Sequence, residues 1–291
     1  MTKDKIQVHG LRRDERAVSP AISTVIITSA VVVLLLVTVT FGNNFLNARM
    51  AENEFSAMKQ FMQTVGLQID DVAWTIGRAQ TIRYASRFGQ VNFEPLALKY
   101  SVSVDTGEGY ICIANYSTGI LLFNMPISQY SVSNNYSERI FPSSNSSFLQ
   151  VGTSAPVSHV YVIEKLPMND GNFIRVVVAP SIRMLNSTIS TGGTGGDETN
   201  YFRFFLPVLS SGSHPRYSQS VTLAGNKVSV KTEGGVNNVT IHVSFPKGID
   251  SLGFDEDFFN FESEWVNVLL PTGSIIEFYT GEVIVSLGLH G

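Results

Sequence analysis

A run of 21 residues without a charged side chain, Ala21 to Phe41, lies near the start of the sequence and most constrains what the chain can fold into. As a helix rising about 1.5 Å per residue, the run measures roughly 30 Å, the thickness of the hydrocarbon core of a bilayer. Its serine and threonine hydroxyls can donate to carbonyls one turn back, so they are compatible with insertion. The run therefore predicts a transmembrane helix.

The charges on either side of this run predict its orientation. The residues directly after it, 42–47, carry no charge. The basic residues before it are Lys3, Lys5, Arg12, Arg13 and Arg16. Because positive charge is retained on the cytoplasmic side, the N-terminus is expected in the cytoplasm and everything after Phe41 outside the cell.

The junction between the charged leader and the apolar run carries a more specific pattern. A secretory signal peptide has a shorter apolar region, of about 7 to 15 residues, and is cleaved on its far side. Here a basic and a small residue are followed by a Ser-Pro start to the helix: Arg16-Ala17, then Val18-Ser19-Pro20. Over about residues 12–41 the sequence resembles archaeal type IV pilin and archaellin precursors with a class III signal peptide.

The resemblance implies that a prepilin peptidase removes the leader and that the mature chain begins at Val18. It also implies that the helix is a membrane anchor first and then packs against copies of itself or other pilin-like subunits in a filament. A plain signal-anchor that keeps its leader is the alternative.

A heptad pattern follows the apolar run. Small or apolar residues alternate at spacings of three and four, which predicts an amphipathic helix to about residue 85. They are Ala48, Ala51, Phe55, Met58, Met62, Val65, Ile69, Val72, Ile76 and Ala79. This seam can dock the helix on its own head or on neighbouring helices. Phe45, Leu46, Met50 and Phe61 lie off the seam and favour lateral partners modestly.

After Gly89 the helical spacing of the apolar residues ends. About a dozen short runs rich in Val, Ile, Tyr and Phe, separated by turn residues, predict an antiparallel β-sandwich-like head. The predicted class is α+β. The predicted organisation is a leader at 1–17, a transmembrane helix at 18–41, an extracellular amphipathic helix at 42–88 and a β-rich extracellular domain at 89–291.

The composition fits an extracellular head. Charged residues make up 15% of the chain, below the roughly 25% of soluble domains. The net charge is −4 and the basic residues are scattered, so no nucleic-acid interface is predicted. The single cysteine, Cys112, excludes an intrachain disulfide and is expected to be buried. Five sequons are possible glycosylation sites: Asn115, Asn135, Asn145, Asn186 and Asn238.

No residue pattern in the sequence points to catalysis. The five histidines share no metal-type spacing, and no nucleotide-binding or nucleophile-elbow motif occurs, so no catalytic residue, cofactor or metal is predicted. Trp74 and Trp265 are interpreted as core or helix–head contacts. The leading hypothesis is a pilin-like cell-surface subunit with a possible adhesion role. The alternatives are a monomeric membrane-anchored binding domain with a helical stalk and, less favoured, an anchored extracellular enzyme.

Overall fold

A computed structural model describes residues 15–133, 136–143, 147–164, 172–191, 197–215, 218–244 and 265–288. The chain divides into two compact units, Met1–Met50 and Ala51–Gly291. The elements are α1 (Glu15–Ala73), β1 (Ala79–Arg83), β2 (Gln90–Asp105), β3 (Tyr110–Pro126), β4 (Ser137–Phe141), β5 (Leu149–Val151), β6 (Ser158–Glu164), β7 (Phe173–Pro180), β8 (Ile182–Thr191), β9 (Asp197–Ser211), β10 (Ser220–Ser244) and β11 (Trp265–Leu287). A long N-terminal helix followed by a large sheet confirms the α+β class.

Helix α1 ends at Ala73, about a dozen residues before the predicted end. Gly77 has a φ of +79°, and its N–H donates to the carbonyl of Gly225 at 2.9 Å. This left-handed turn sends the chain into β1, which pairs with β10. Ile76 and Ala79 continue the heptad spacing but lie beyond the helix, because strand pairing outweighs the helical pattern there.

The strands form one eleven-stranded sheet in the order β4-β6-β7-β3-β2-β10-β11-β9-β8-β5, with β1 paired to β10. The predicted antiparallel arrangement is wrong at two places: β9 runs parallel to β11, and β5 runs parallel to β8. The side-chain period of two is the same in both orientations, so the sequence pattern carries no information on this point.

The first of two hydrophobic cores lies between α1 and the sheet. Seven seam residues are at most 3% exposed: Ala51, Phe55, Met58, Met62, Val65, Ile69 and Val72. The core continues into β3, β6, β7, β10 and β11. Midway along the seam, Gly66 lets the helix approach β6, where the Ser158 hydroxyl donates to the Gly66 carbonyl at 2.8 Å. In this unit the seam therefore docks the helix on its own sheet.

The second core is formed where the sheet curls over itself. It contains Tyr100, Phe148, Phe204 and Phe278, which come from β2, from the segment before β5, from β9 and from β11. Strands that are not hydrogen-bonded neighbours meet there; for example, the Tyr100 hydroxyl in β2 donates to the carbonyl of Pro180 in β7 at 2.5 Å. The curl buries one face of the sheet without a second helix.

Candidate functional site

The most unusual surface of the described chain is the apolar face of α1 in the first unit. Every residue from Ile22 to Met50 is exposed except Gly42, which is partly buried. Val25, Leu34 and Phe41, for example, are 67%, 65% and 73% exposed. By length and composition, α1 is the one candidate membrane-spanning helix among the described residues, and none of its most apolar window is buried. Water is an unfavourable environment for such a surface.

Four hydroxyl groups within this apolar stretch form hydrogen bonds inside the helix. Thr28, Ser29, Thr38 and Thr40 each donate a hydroxyl hydrogen bond to the carbonyl four residues earlier, at 2.7 to 2.8 Å. In hydrocarbon an unsatisfied hydroxyl would cost several kcal/mol, so these internal bonds make the stretch compatible with lipid.

The exposed apolar surface continues after the apolar run ends at Phe41. Asn43 and Asn44 interrupt it, and then Phe45, Leu46 and Met50 are 53%, 59% and 45% exposed. The Arg49 guanidinium lies over the Phe45 ring, 5.4 Å from its centroid. An aromatic ring beside a cation is typical of the boundary between a membrane and water.

In the second unit, a carboxylate on α1 binds the loop between β1 and β2. Glu54 Oε1 accepts from the Ser86 hydroxyl at 2.5 Å and from the N–H groups of Phe88 and Gly89 at 3.0 and 3.2 Å. Glu54 Oε2 accepts from the N–H of Arg87 at 2.9 Å. One side chain thus satisfies three consecutive backbone donors, and this fixes the loop to the helix.

Two ion pairs add to this attachment. The Lys59 ammonium donates a hydrogen bond to Glu138 Oε2 at 2.7 Å. This hydrogen bond holds the pKa of the Glu138 carboxyl below its ordinary value. Near the end of the helix, Asp70 accepts from Arg183 and from the indole N–H of Trp74, each at 2.7 Å. The Trp74 ring also meets Phe205 of β9 edge-on, with the ring centroids 5.2 Å apart, so Trp74 is a helix–head contact, one of the two roles predicted for it.

The predicted processing residues Arg16, Ala17, Val18, Ser19 and Pro20 lie within α1, which begins at Glu15. Their backbone is helical. The fixed φ of a proline suits a helix, but its ring removes a hydrogen bond unless it stands in the first turn.

The described sequons differ in their exposure. Asn115 in β3 and Asn186 in β8 are exposed. Asn238 in β10 is partly buried, and its Oδ1 is buried without a hydrogen-bond partner among the described residues. Asn135 and Asn145 lie outside the described residues. The sequence motif treats the five alike, so only the structure separates them.

Two expectations about single residues are wrong. Cys112 is exposed rather than buried, because its position in β3 points away from the second core. Trp265 is 60% exposed at the start of β11. Both errors have one cause: alternation along a strand places residues on two faces, and the sequence does not say which face is covered.

One groove in the head has a volume of about 360 Å³ and is lined in part by Phe93, Glu94 and His214. His214 stacks on Phe93 at 5.5 Å, and its Nδ1 is 3.4 Å from the Ser211 hydroxyl. Burial lowers the pKa of His214. Among the described residues no group of three or more His, Cys, Asp or Glu side chains could hold a metal ion.

Comparison with protein-family models, with curated proteins and with solved structures finds no match for this chain. Its function is therefore assigned from the chemistry of its own residues.

Proposed function

We propose that this protein is a non-enzymatic, pilin-like cell-surface subunit. Its N-terminus is cytoplasmic, α1 crosses the membrane once, and the β-rich head is extracellular. After removal of residues 1–17, the helix packs against copies of itself or other pilin-like subunits in a filament or related surface complex. The sandwich-like head then faces outward, where it can carry glycans and make adhesive contacts.

The observation that carries the proposal is the length of the exposed apolar face. From Ile22 to Met50 the helix measures roughly 42 Å, whereas a bilayer core needs about 30 Å. Phe45 suits the interface of any membrane anchor, but a simple anchor does not require the exposed apolar residues Leu46 and Met50 that follow it. Lateral contact with other helices would remove this additional apolar surface from water.

The use of the seam supports the same division of the helix. The seam residues between Ala51 and Val72 are already buried against the sheet. Glu54, Lys59 and Asp70 add polar bonds to the head on either side of that stripe. The second half of the helix is therefore committed to its own head, and the exposed first half is the part left for partners.

The position of Pro20 supports leader removal. In the precursor, α1 begins at Glu15, so Pro20 is not in the first turn. If the chain begins at Val18, Pro20 becomes the third residue, where the missing N–H would have had no helical acceptor. Processing would thus turn an unfavourable proline into a suitable start for the helix.

Mass spectrometry of the N-terminus from native cells tests the proposal directly. A chain starting at Val18 is expected, and replacement of Arg16 and Ala17 should leave a longer, membrane-bound precursor. A native chain that starts near Met1, or the same product from the variant, would contradict the proposal.

The second candidate is a monomeric membrane-anchored binding domain with a helical stalk. It is favoured by the burial of the seam residues from Ala51 to Val72 against their own head, since no other subunit is needed there. Cysteine placed at Phe45, in a Cys112→Ser background, distinguishes the two. Cross-links between chains in native membranes support assembly through the helix, whereas an uncross-linked product supports the stalk.

A further inference from the structure

One exposed face of the head combines an aromatic ring with a row of uncharged polar side chains. Strands β11, β10, β2 and β3 are consecutive neighbours, and Trp265 is aligned with His242, Ser101 and Asn115 in one row across them. The alternate residues of these strands, such as Ile241 and Val102, are fully buried in the second core. The row therefore lies on the outward face, here called the Trp265 row.

The indole ring at one end of the row is held in a fixed orientation. Trp265 and His242 stack with their ring centroids 3.9 Å apart and an angle of 20° between the ring planes. Trp265 is nevertheless 60% exposed. A large ring that stays in water on a folded surface is uncommon for a residue that contributes so much apolar area when buried, and such rings are enriched where ligands bind.

The rest of the surface offers hydrogen bonds without net charge. Thr240 donates to Asn267 Oδ1 at 2.9 Å in the adjacent row, so that amide is oriented before any ligand arrives. Ser101 and Asn115 extend the Trp265 row to about 14 Å from the indole, at roughly 4.8 Å per strand. Among the described residues, Lys99 and Asp105 on β2 are charged positions of this face, and they have opposite signs.

We infer that the Trp265 row binds a neutral saccharide chain. A sugar ring has an apolar C–H face, which stacks on an indole, and hydroxyl edges, which exchange hydrogen bonds with amides and hydroxyls. A charged ligand would find no patch of a single sign among the described residues of this face, and an apolar protein surface would leave the amides and hydroxyls of the row without partners. The inference rests on the extracellular position of the head in the proposed function, where glycans are accessible.

The test uses the full chain in a detergent without a sugar headgroup. Calorimetry measures binding of three neutral probes: cellohexaose, maltohexaose and mannohexaose. At least one is expected to bind with a Kd of about 1 mM or lower. Trp265→Ala should weaken that binding at least tenfold, and Trp265→Phe should retain part of it. Val151→Ala, at a residue 62% exposed on β5, is the matched control and should bind as the parent does.

Trp265 is exposed, so its replacement should leave the circular dichroism spectrum and the thermal midpoint of the head unchanged. The inference is overturned if none of the probes binds, or if Trp265→Ala binds as well as the parent. It is also overturned if that substitution instead disrupts association between chains in sedimentation, because the face would then belong to a second copy. These outcomes are independent of whether the leader is cleaved or a filament forms.

Discussion

A close approach between helix and sheet at Gly66 gives a sharp test of how the head is held together. A Cβ at Gly66 would lie 2.9 Å from Ser158 Oγ and 3.2 Å from a methyl group of Val160. Gly66→Ala gains about 1 kcal/mol from helix propensity. It forces Ser158 out of its buried bond to the Gly66 carbonyl, which costs about 1–3 kcal/mol, and overpacks Val160 at a similar cost. The two costs less the gain leave a net loss of about 3 kcal/mol at the middle of these ranges.

For a unit of this size, that loss corresponds to a fall in Tm of roughly 5–10 °C, measured by circular dichroism on the full chain in detergent. Gly42→Ala is the control within the same helix, because nothing lies within 4 Å of its added Cβ. Gly42→Ala should leave the Tm of the head unchanged. Adding Ser158→Ala to Gly66→Ala should recover part of the loss, since the hydroxyl is then absent. A Gly66→Ala protein as stable as the parent would refute the close-packing account.

The remaining predictions concern a loop, a buried histidine and the sequons. Glu54→Ala should speed hydrogen exchange of the amides in the loop after β1 at least tenfold, because their common acceptor is lost; unchanged exchange would contradict the assigned bonds. Burial lowers the pKa of His159 to about 4. The pKa of this histidine in the unfolded chain is about 6.5, so between pH 4 and pH 6.5 only the unfolded chain takes up the proton. Stability should be complete above pH 6.5 and fall by about 3 kcal/mol as the pH approaches 4, as measured by urea unfolding; an equally steep fall in His159→Gln would exclude this histidine as the cause. If the sequons are used, Asn115→Gln and Asn186→Gln should each reduce the mass of the native protein, whereas Asn238→Gln should not.

The helix could be predicted because its signal is local. The seam from Ala51 to Val72 is buried at every expected position, since a period of 3.5 residues places those side chains on one face of any helix. Its end could not be predicted from the same pattern. Ile76 keeps the spacing but is 66% exposed, and the backbone there is set by Gly77 and by pairing with β10.

The sheet shows a different limit of prediction from sequence. Strand runs were identifiable, but the parallel neighbours β9 and β11 depend on how the chain returns across the sheet, which no local pattern records. Which face a residue occupies also depends on irregularities. The pairing between β2 and β3 slips after Val102, which changes the β2 partners of the β3 residues before Ile113, Cys112 among them. The positions of Cys112 and Trp265 follow from such long-range geometry, so the Trp265 row had no signal in the sequence.

The core beneath α1 also has a consequence for the order in which the protein is made. Val72 shares that core with Val283 and Val285 of the last strand. At about 5–20 residues per second, roughly 10–40 s pass between synthesis of the seam and synthesis of β11. During that interval the seam is complete but its final cover is missing. The nascent chain therefore exposes the apolar side chains of Phe55, Met58 and Met62. A chaperone that binds unfolded chains, on the side of the membrane where the head folds, would suppress aggregation through this surface.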